Sequence, residues 1–477
     1  MAEQYDVIIV GAGPAGLFAA HYLARHSGLS IVLIDKGPLP RARRCPVEQS
    51  ERCLGCDPCH ILCGFGGAGL FSDGKLNFAP RMGQTDLTQF MDLEDATALI
   101  EETEAIFSAH GMDGPVYPTH EEKARNIRKD ARKEGIELLL IKQKHLGSDK
   151  LPEYIADMLQ GIEERGVDIK PNMQVRDILL NNGAVRGVAT SEGEIHAPQV
   201  ILAPGRVGAE WMASMAQNAD MGVTQRGIEI GARVEVPNDI LQDITDIIYD
   251  PVFFIQTGKY DDQTRTFCTN FGGFVSQENY QDFVCVNGHA YLNRKSDNSN
   301  FAFLSKVVLT EPVTDNRSYG ESIGRLATLI GGGCPILQRL GDLKRGRRST
   351  WQRIGKGYIE PTLKNVVCGD IAMALPERLL TNLAEGLEKL NKVVPGVANN
   401  ETLLYAPEIK FFATQIETDQ HLETNIKGLY VAGDGAGVAG NIVSASATGL
   451  IPAKAILGKD YKGEGAENKK LSRTSIG

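Results

Sequence analysis

The sequence predicts an α/β protein: a parallel sheet assembled from separated segments, together with a mixed α+β unit. Three stretches carry that expectation. A strand, glycine turn and helix stand near each end of the chain, and a hairpin with a returning strand stands between them. The first stretch, Tyr5 to Gly16, reads YDVIIVGAGPAG. Val7 to Val10 is apolar and β-branched, as suits a strand buried on both faces. It breaks into Gly11, Gly13 and Gly16, and Leu17 to Arg25 reads as a helix of small and apolar residues. Strand, G-x-G-x-x-G and helix form the Rossmann-like dinucleotide fingerprint. The first glycine permits a tight turn, the second lets backbone approach a pyrophosphate, and the third lets the helix pack on the strand. The helix N-terminus adds unpaired N–H groups and partial positive charge. A second strand, Ser30 to Ile34, ends in Asp35, about 20 residues past the glycines, where an acid hydrogen-bonds a ribose hydroxyl.

The far end reads GLYVAGDGAG over 428–437, then small residues over 441–449 and a helical pattern over 450–457. In the middle, 175–180 and 184–189 flank Asn181-Asn182-Gly183, a hairpin signal. Ile195 and then VILAPG over 200–205 complete a strand returning to a glycine turn. Together these pieces resemble the FAD-binding flavoproteins built like glutathione reductase and p-hydroxybenzoate hydroxylase. The resemblance implies FAD, with Gly11, Gly13, Pro14, Ala15 and Gly16 on the pyrophosphate and Asp35 on the adenosine ribose. Lys36, Arg44, Gly66, Gly67 and Val175 would also line the cofactor. The turn Ala203-Pro204-Gly205 would close over it, with Pro204 where the family usually has Thr. Gly433 and Asp434 would bind the ribityl–phosphate portion. Gly440, Asn441 and Ile442 would open a helix whose N-terminus faces the flavin's pyrimidine edge. A plain NAD-binding Rossmann domain has no need of the Gly433–Asp434 element, which favours FAD. The runs CGFGGAGLFSDGKLN, VNGHAY, QRLGDLKRGRRST and GDGAGVAGNIVSASATG further resemble a group of FAD-dependent dehydrogenases over nearly the full length. That likeness names no substrate.

With 42% hydrophobic and 23% charged residues, the composition is that of an ordinary soluble protein. The net charge of −10 argues against general affinity for nucleic acid or acidic membranes. The first strand begins by residue 6, which leaves no room for a signal peptide, and no apolar run approaches the ~18 residues of a membrane span. A cytoplasmic location is the expectation. There, nine cysteines point to metal ligation, catalysis or plain thiols before disulfides.

Cys53, Cys56, Cys59 and Cys63 have the spacing C-x2-C-x2-C-x3-C, which is the bacterial ferredoxin run. One loop would wrap a single 4Fe–4S iron–sulfur cluster through Cys53, Cys56, Cys59 and either Cys63 or Cys45. Gly64 in place of the ferredoxin proline, and the presence of only one run, depart from the pattern. Zinc, a redox dithiol and unliganded thiols stay open as alternatives. In glutathione reductase-like enzymes the redox cysteines lie in this same stretch, against the flavin. The glycine-dense run GFGGAG over 64–69 follows, suited to close backbone approach to a ligand. Cys268, Cys285, Cys334 and Cys368 read as small buried hydrophobes.

Residues 84–165 read mostly helical, over 92–109, 120–135 and 150–165. The basic run within 120–135 is a solvated face or a docking surface for an acidic partner such as a ferredoxin. Strands are expected over 229–236, 251–257, 274–276 and 283–286, and helices over 321–330 and 375–392. The expected organisation is a cofactor domain from 1–80, 166–225 and 401–458, a helical insertion over 81–165, a substrate domain over 226–400 and a flexible tail over 459–477. In the substrate domain, His289 and Tyr291 stand at strand spacing on one face. A histidine suits proton transfer near neutrality, and a hydrogen-bonded structural His is the plainer alternative. Arg345, Arg347 and Arg348 gather about Gly346 as a carboxylate or phosphate clamp, or as a solvated loop.

The expected function is an FAD-dependent oxidoreductase passing hydride or electrons through flavin N5 to or from a small organic substrate. No second G-x-G-x-x-G follows a strand. Electrons would therefore enter from a ferredoxin-like donor through the cysteines, or from transiently docked NAD(P)H. A flavin monooxygenase, and a non-enzymatic flavin redox sensor or electron-transfer protein, are the alternatives.

Overall fold

The computed structural model describes residues 3–45, 56–72, 74–83, 85–146, 150–280, 282–291, 294–310 and 315–459. Cys53 of the cysteine run and residues 460–477 of the expected tail lie outside the described residues. The chain divides into two compact units, one from 1–114, 146–226 and 413–477, the other from 115–145 and 227–412.

The first unit is Rossmann-like. Its elements are β1 (Val7–Val10), α1 (Pro14–His26), β2 (Ile31–Ile34), α2 (Leu93–Ala109), α3 (Leu151–Glu163), β3 (Asp168–Lys170), β4 (Gln199–Leu202), β5 (Leu429–Val431) and α4 (Ile442–Ile456). The strands form one parallel sheet in the order β3–β2–β1–β4–β5. Ile8 stands between Val32 and Val200, and Ile201 opposite Tyr430. Every residue of β1 and β2 is buried, as their unbroken apolar runs require. Small residues bring α1 and α4 to backbone contact: a Cβ at Gly449 would lie 2.0 Å from the carbonyl oxygen of Ala15. The central hairpin forms as expected, Val175–Asn181 against Ala184–Thr190, with Gly193–His196 as its third strand. Asn182 and Gly183 turn it at φ 51° and 76°, the positive values that an Asn-Gly hairpin turn uses.

The second unit is mixed. Its eight-stranded sheet runs 367–368, 336–339, 403–410, 228–237, 298–307, 263–270, 252–256 and 136–139. Glu377–Leu390, Asn316–Ile330 and Glu121–Lys133 pack on it. The stretch 81–165, expected as one helical insertion, is divided. α2 and α3 belong to the first unit, whereas 115–145 belongs to the second. Within the latter, Ile136–Leu139 is a strand, because its inward Ile136 and Leu138 complete the edge of the large sheet beside Val252–Ile255. Among the described residues, no helix is long and apolar enough to cross a membrane.

Candidate cofactor site

All four glycine turns singled out in the sequence lie in the first unit, and the fold brings them together. At the end of β1, Gly11 takes φ 98°, and a Cβ there would lie 2.2 Å from the carbonyl oxygen of Ala203. Only glycine fits that crossing of β1 and β4. Gly13 is the N-cap of α1 without a side-chain cap, and Pro14 occupies the first turn, where its missing N–H is no loss. A Cβ at Gly16 would stand 1.9 Å from the Gly11 oxygen, so α1 rests directly on the turn. Asp35 ends β2 and clamps this turn. Its carboxylate accepts the N–H of Ala12 and that of Gly37, each at 2.8 Å. Burial pushes the Asp35 carboxyl up, opposed by those two N–H groups and by the Arg43 charge. Each oxygen keeps acceptor capacity for a hydroxyl.

The second wall is the glycine run after the cysteines. Gly66 donates its N–H to Ala12 O at 2.8 Å. A Cβ on Gly67 would come within 2.9 Å of Gly13 Cα, and one on Gly69 would touch Ile442 at 3.6 Å and Pro14 at 3.9 Å. Gly66 and Gly67 therefore stand beside the fingerprint. Behind this wall lies Arg43, a residue that the sequence reading missed. It is buried, and its guanidinium donates to the carbonyls of His60, Ile61, Phe65 and Gly67 at 2.8–2.9 Å. Arg44, the candidate read from sequence, is exposed. Nothing in the run Arg41-Ala-Arg43-Arg44 tells which arginine turns inward. Lys36 is half-buried. Burial pushes the Cys63 thiol up, and the charges of Lys36 and Arg43 oppose that shift.

The third and fourth turns close the arrangement. Ala203 donates to Val10 O at 2.7 Å. A Cβ at Gly435 would meet Gly205 O at 2.2 Å. Asp434 is held by Arg206 through Nε and Nη2 at 2.9 and 2.8 Å. The Gly433 N–H donates to the buried Thr448 hydroxyl at 3.0 Å. Asn441 caps α4 in a capping box with Ser444, leaving Ile442 in its first turn, and a Cβ at Gly440 would lie 3.3 Å from Thr85 Oγ1. Val175 is buried opposite Thr190 in the hairpin. The residues present fit a dinucleotide. A Cβ at Gly205 would meet no atom within 4 Å, and one at Gly13 would meet only Gly67 Cα, at 3.8 Å. Protein backbone fills the space at Gly11, Gly16 and Gly435, whereas the space at Gly13 and Gly205 is open to a ligand.

The remaining candidates lie elsewhere. In the second unit, His289 pairs across the strands with Phe274, and the Tyr291 ring stands edge-on to His289 with centroids 4.3 Å apart. Two of the three arginines go to separate partners. Arg345 donates to Gly341 O and Arg347 to Asp342, both at 2.7 Å, while Arg348 is exposed. Of the cysteines, Cys56 is exposed, Cys45 and Cys59 are half-buried and Cys63 is buried. Among the described residues, no group of three or more His, Cys, Asp or Glu is placed to hold a metal. The sequence reading also missed a buried network in the second unit. Arg233 donates to Glu408 through Nε and Nη2 at 2.9 and 3.0 Å, both side chains fully buried, and Arg265 pairs with Glu229. Charged residues in the otherwise apolar strands 228–237 and 403–410 were the available signal.

Three segments match family models: residues 9–49 an NAD(P)-binding Rossmann-like domain, 142–239 an FAD binding domain, and 228–410 the FAD-dependent protein, C-terminal domain-like family. An uncharacterized protein of Clostridium beijerinckii is 25% identical over 95% of this chain and 80% of its own length. Sarcosine oxidase subunit beta of Rhizobium meliloti is 28% identical over 42% of this chain and 49% of its own. Among solved structures, glycine oxidase from Bacillus cereus aligns over 96% of each chain at 15% identity, with a TM-score of 0.37. The family matches, set on a Rossmann-like unit with its glycine turns assembled, place the chain among the FAD-dependent oxidoreductases.

Proposed function

We propose that the chain is a dehydrogenase or reductase of the glutathione reductase and p-hydroxybenzoate hydroxylase type, acting on a small organic substrate in the cytoplasm. The observation that carries the reading is the meeting of Gly67 with Gly13 and of Gly69 with both Pro14 and Ile442. It joins a glycine wall to the N-termini of α1 and α4, whose partial positive charge suits an anionic ligand. Asp35 would hold a ribose hydroxyl, and the backbone of Gly13 and Gly67 the diphosphate. The first turn of α4 at Asn441 and Ile442 would take the polar edge of the flavin. Bound FAD supplies hydride and single-electron transfer through N5 of its ring system. In the second unit, His289 and Tyr291 would hold or move a substrate proton, and the loop of Arg345, Arg347 and Arg348 would draw an acidic substrate group. Cys53, Cys56, Cys59 and Cys63, with Cys45 as the alternative ligand, would form a 4Fe–4S cluster or a redox dithiol serving a ferredoxin-like donor. Transiently docked NAD(P)H is the other source of electrons.

The test is anaerobic. Protein reconstituted with FAD is analysed for iron, sulfide and zinc, then offered NAD(P)H or reduced ferredoxin. Bleaching of the flavin by either donor, with a second half-reaction on an organic acceptor, supports the reading. Hydroxylated product on admitting oxygen would replace it with a monooxygenase. Replacing His289 and Tyr291 should abolish turnover while leaving FAD bound.

A further inference from the structure

Arg43 joins two neighbouring segments of the chain. On one side its Nε and Nη2 donate to the carbonyls of His60 and Ile61, both at 2.8 Å. These residues lie in the turn between Cys59 and Cys63, which the Cys63 N–H closes on Cys59 O at 2.8 Å. On the other side Nη1 donates to Phe65 and Gly67 at 2.9 and 2.8 Å. Those carbonyls belong to the wall that touches Ala12 and Gly13. The guanidinium also lies 5.0 Å from the Phe71 ring centroid, which fixes its plane. Bonds directed into two segments at once need a planar fork of donors; an ammonium is a single point with three. Burial lowers the Arg43 pKa to about 10, opposed by the charges of Asp35, Cys63 and Cys59.

We propose that Arg43 is a positioning residue that locks the Cys59–Cys63 turn to the glycine wall, so that filling the FAD site and ordering the cysteine turn are one event. The proposal rests on FAD being held by the glycine turns. By reciprocity, whatever stiffens the wall at Gly66 and Gly67 stiffens His60 and Ile61, and a disturbance of the cysteine turn weakens FAD binding by the same factor. The cysteines thereby report on the cofactor site through a mechanical link rather than by contact with the flavin.

The experiment is FAD titration of the cofactor-free full-length wild type, Arg43→Lys and Arg43→Ala, followed by flavin fluorescence, with hydrogen exchange of the peptide over 56–63. Both variants should bind FAD about tenfold more weakly or worse, the loss expected for one buried charged hydrogen bond, and lysine should not rescue. FAD should slow exchange over 56–63 in the wild type and fail to do so in Arg43→Lys, even at saturating FAD. Wild-type affinity in Arg43→Lys, or equal slowing in it, overturns the proposal. If the variants exchange freely over 199–202, the β4 strand of the same unit, as well, they are unfolded. The wild type then decides, and an absence of slowing over 56–63 overturns it. Failure of the wild type to bind FAD would instead defeat the cofactor reading itself.

Discussion

The carboxylate of Asp35 accepts the backbone N–H of Ala12 at 2.8 Å. The acid that ends β2 thus holds the glycine turn that ends β1. Replacing Asp35 with Ala leaves the N–H groups of Ala12 and Gly37 without this acceptor, at roughly 1–3 kcal/mol for each one left unsatisfied. We expect a lower melting temperature and weaker FAD binding together, read by thermal melts with and without FAD. An unchanged melt and an unchanged affinity would show that the clamp is idle.

The packing of α1 on α4 should be equally sensitive. Gly449→Ala drives a methyl to 2.0 Å from the Ala15 oxygen, so the helices must separate. Overpacking of this kind costs about 1–3 kcal/mol, and backbone against backbone yields least. Gly28→Ala is the control, because a Cβ there meets no atom within 4 Å. Denaturant midpoints should fall for the first variant and hold for the second.

What was legible in the sequence was whatever is encoded locally. The unbroken apolar runs of β1 and β2 and the Asn181-Asn182-Gly183 turn each state their role within a few residues, whereas the clamp of Asp35 on Ala12 was not read. The hidden features depend on partners far along the chain. Ile136–Leu139 becomes a strand only because Val252–Ile255 offers an edge. Arg43 is indistinguishable in sequence from Arg41 and Arg44 until the carbonyls of 60–67 fold around it. The Arg206–Asp434 pair joins two turns that were each read alone.

Acid should weaken the first unit through His21. This side chain of α1 is buried, with His110 Nε2 at 3.4 Å from its Nδ1, and His110 Nδ1 is 2.7 Å from Asp157. Burial, then the charges of His110, Arg25, Arg165 and His26, lower its pKa from 6.5 to about 4. The folded state therefore favours the neutral ring. Stability is complete above pH 6.5 and is lost as pH falls from there through 4, by on the order of 3 kcal/mol. Denaturant midpoints measured across this window should drop in the wild type and drop less in His21→Gln. Equal slopes would remove His21 as the cause.

In the second unit, Arg233 and Glu408 are fully buried partners. Removing Arg233 leaves Glu408 with Lys410 alone, at 3.1 Å, and breaking a buried pair from one side costs up to about 3–5 kcal/mol. Arg233→Met alone should unfold the unit at lower denaturant than the triple variant Arg233→Met, Glu408→Leu, Lys410→Met, which also removes the Lys410 charge that Glu408 holds at 3.1 Å. A double variant that loses the sum of the two single losses would show that the pair is not coupled.

The most direct measurement is the cofactor itself. Cofactor-free protein is incubated separately with FAD, FMN and NAD, freed of excess ligand, denatured, and the released nucleotide identified and counted. We expect one FAD per chain, with FMN and NAD lost, and loss of that FAD in a variant whose Gly13 carries a bulky side chain. Protein that retains no flavin, or that keeps NAD in preference to FAD, would contradict an FAD site built from these four glycine turns.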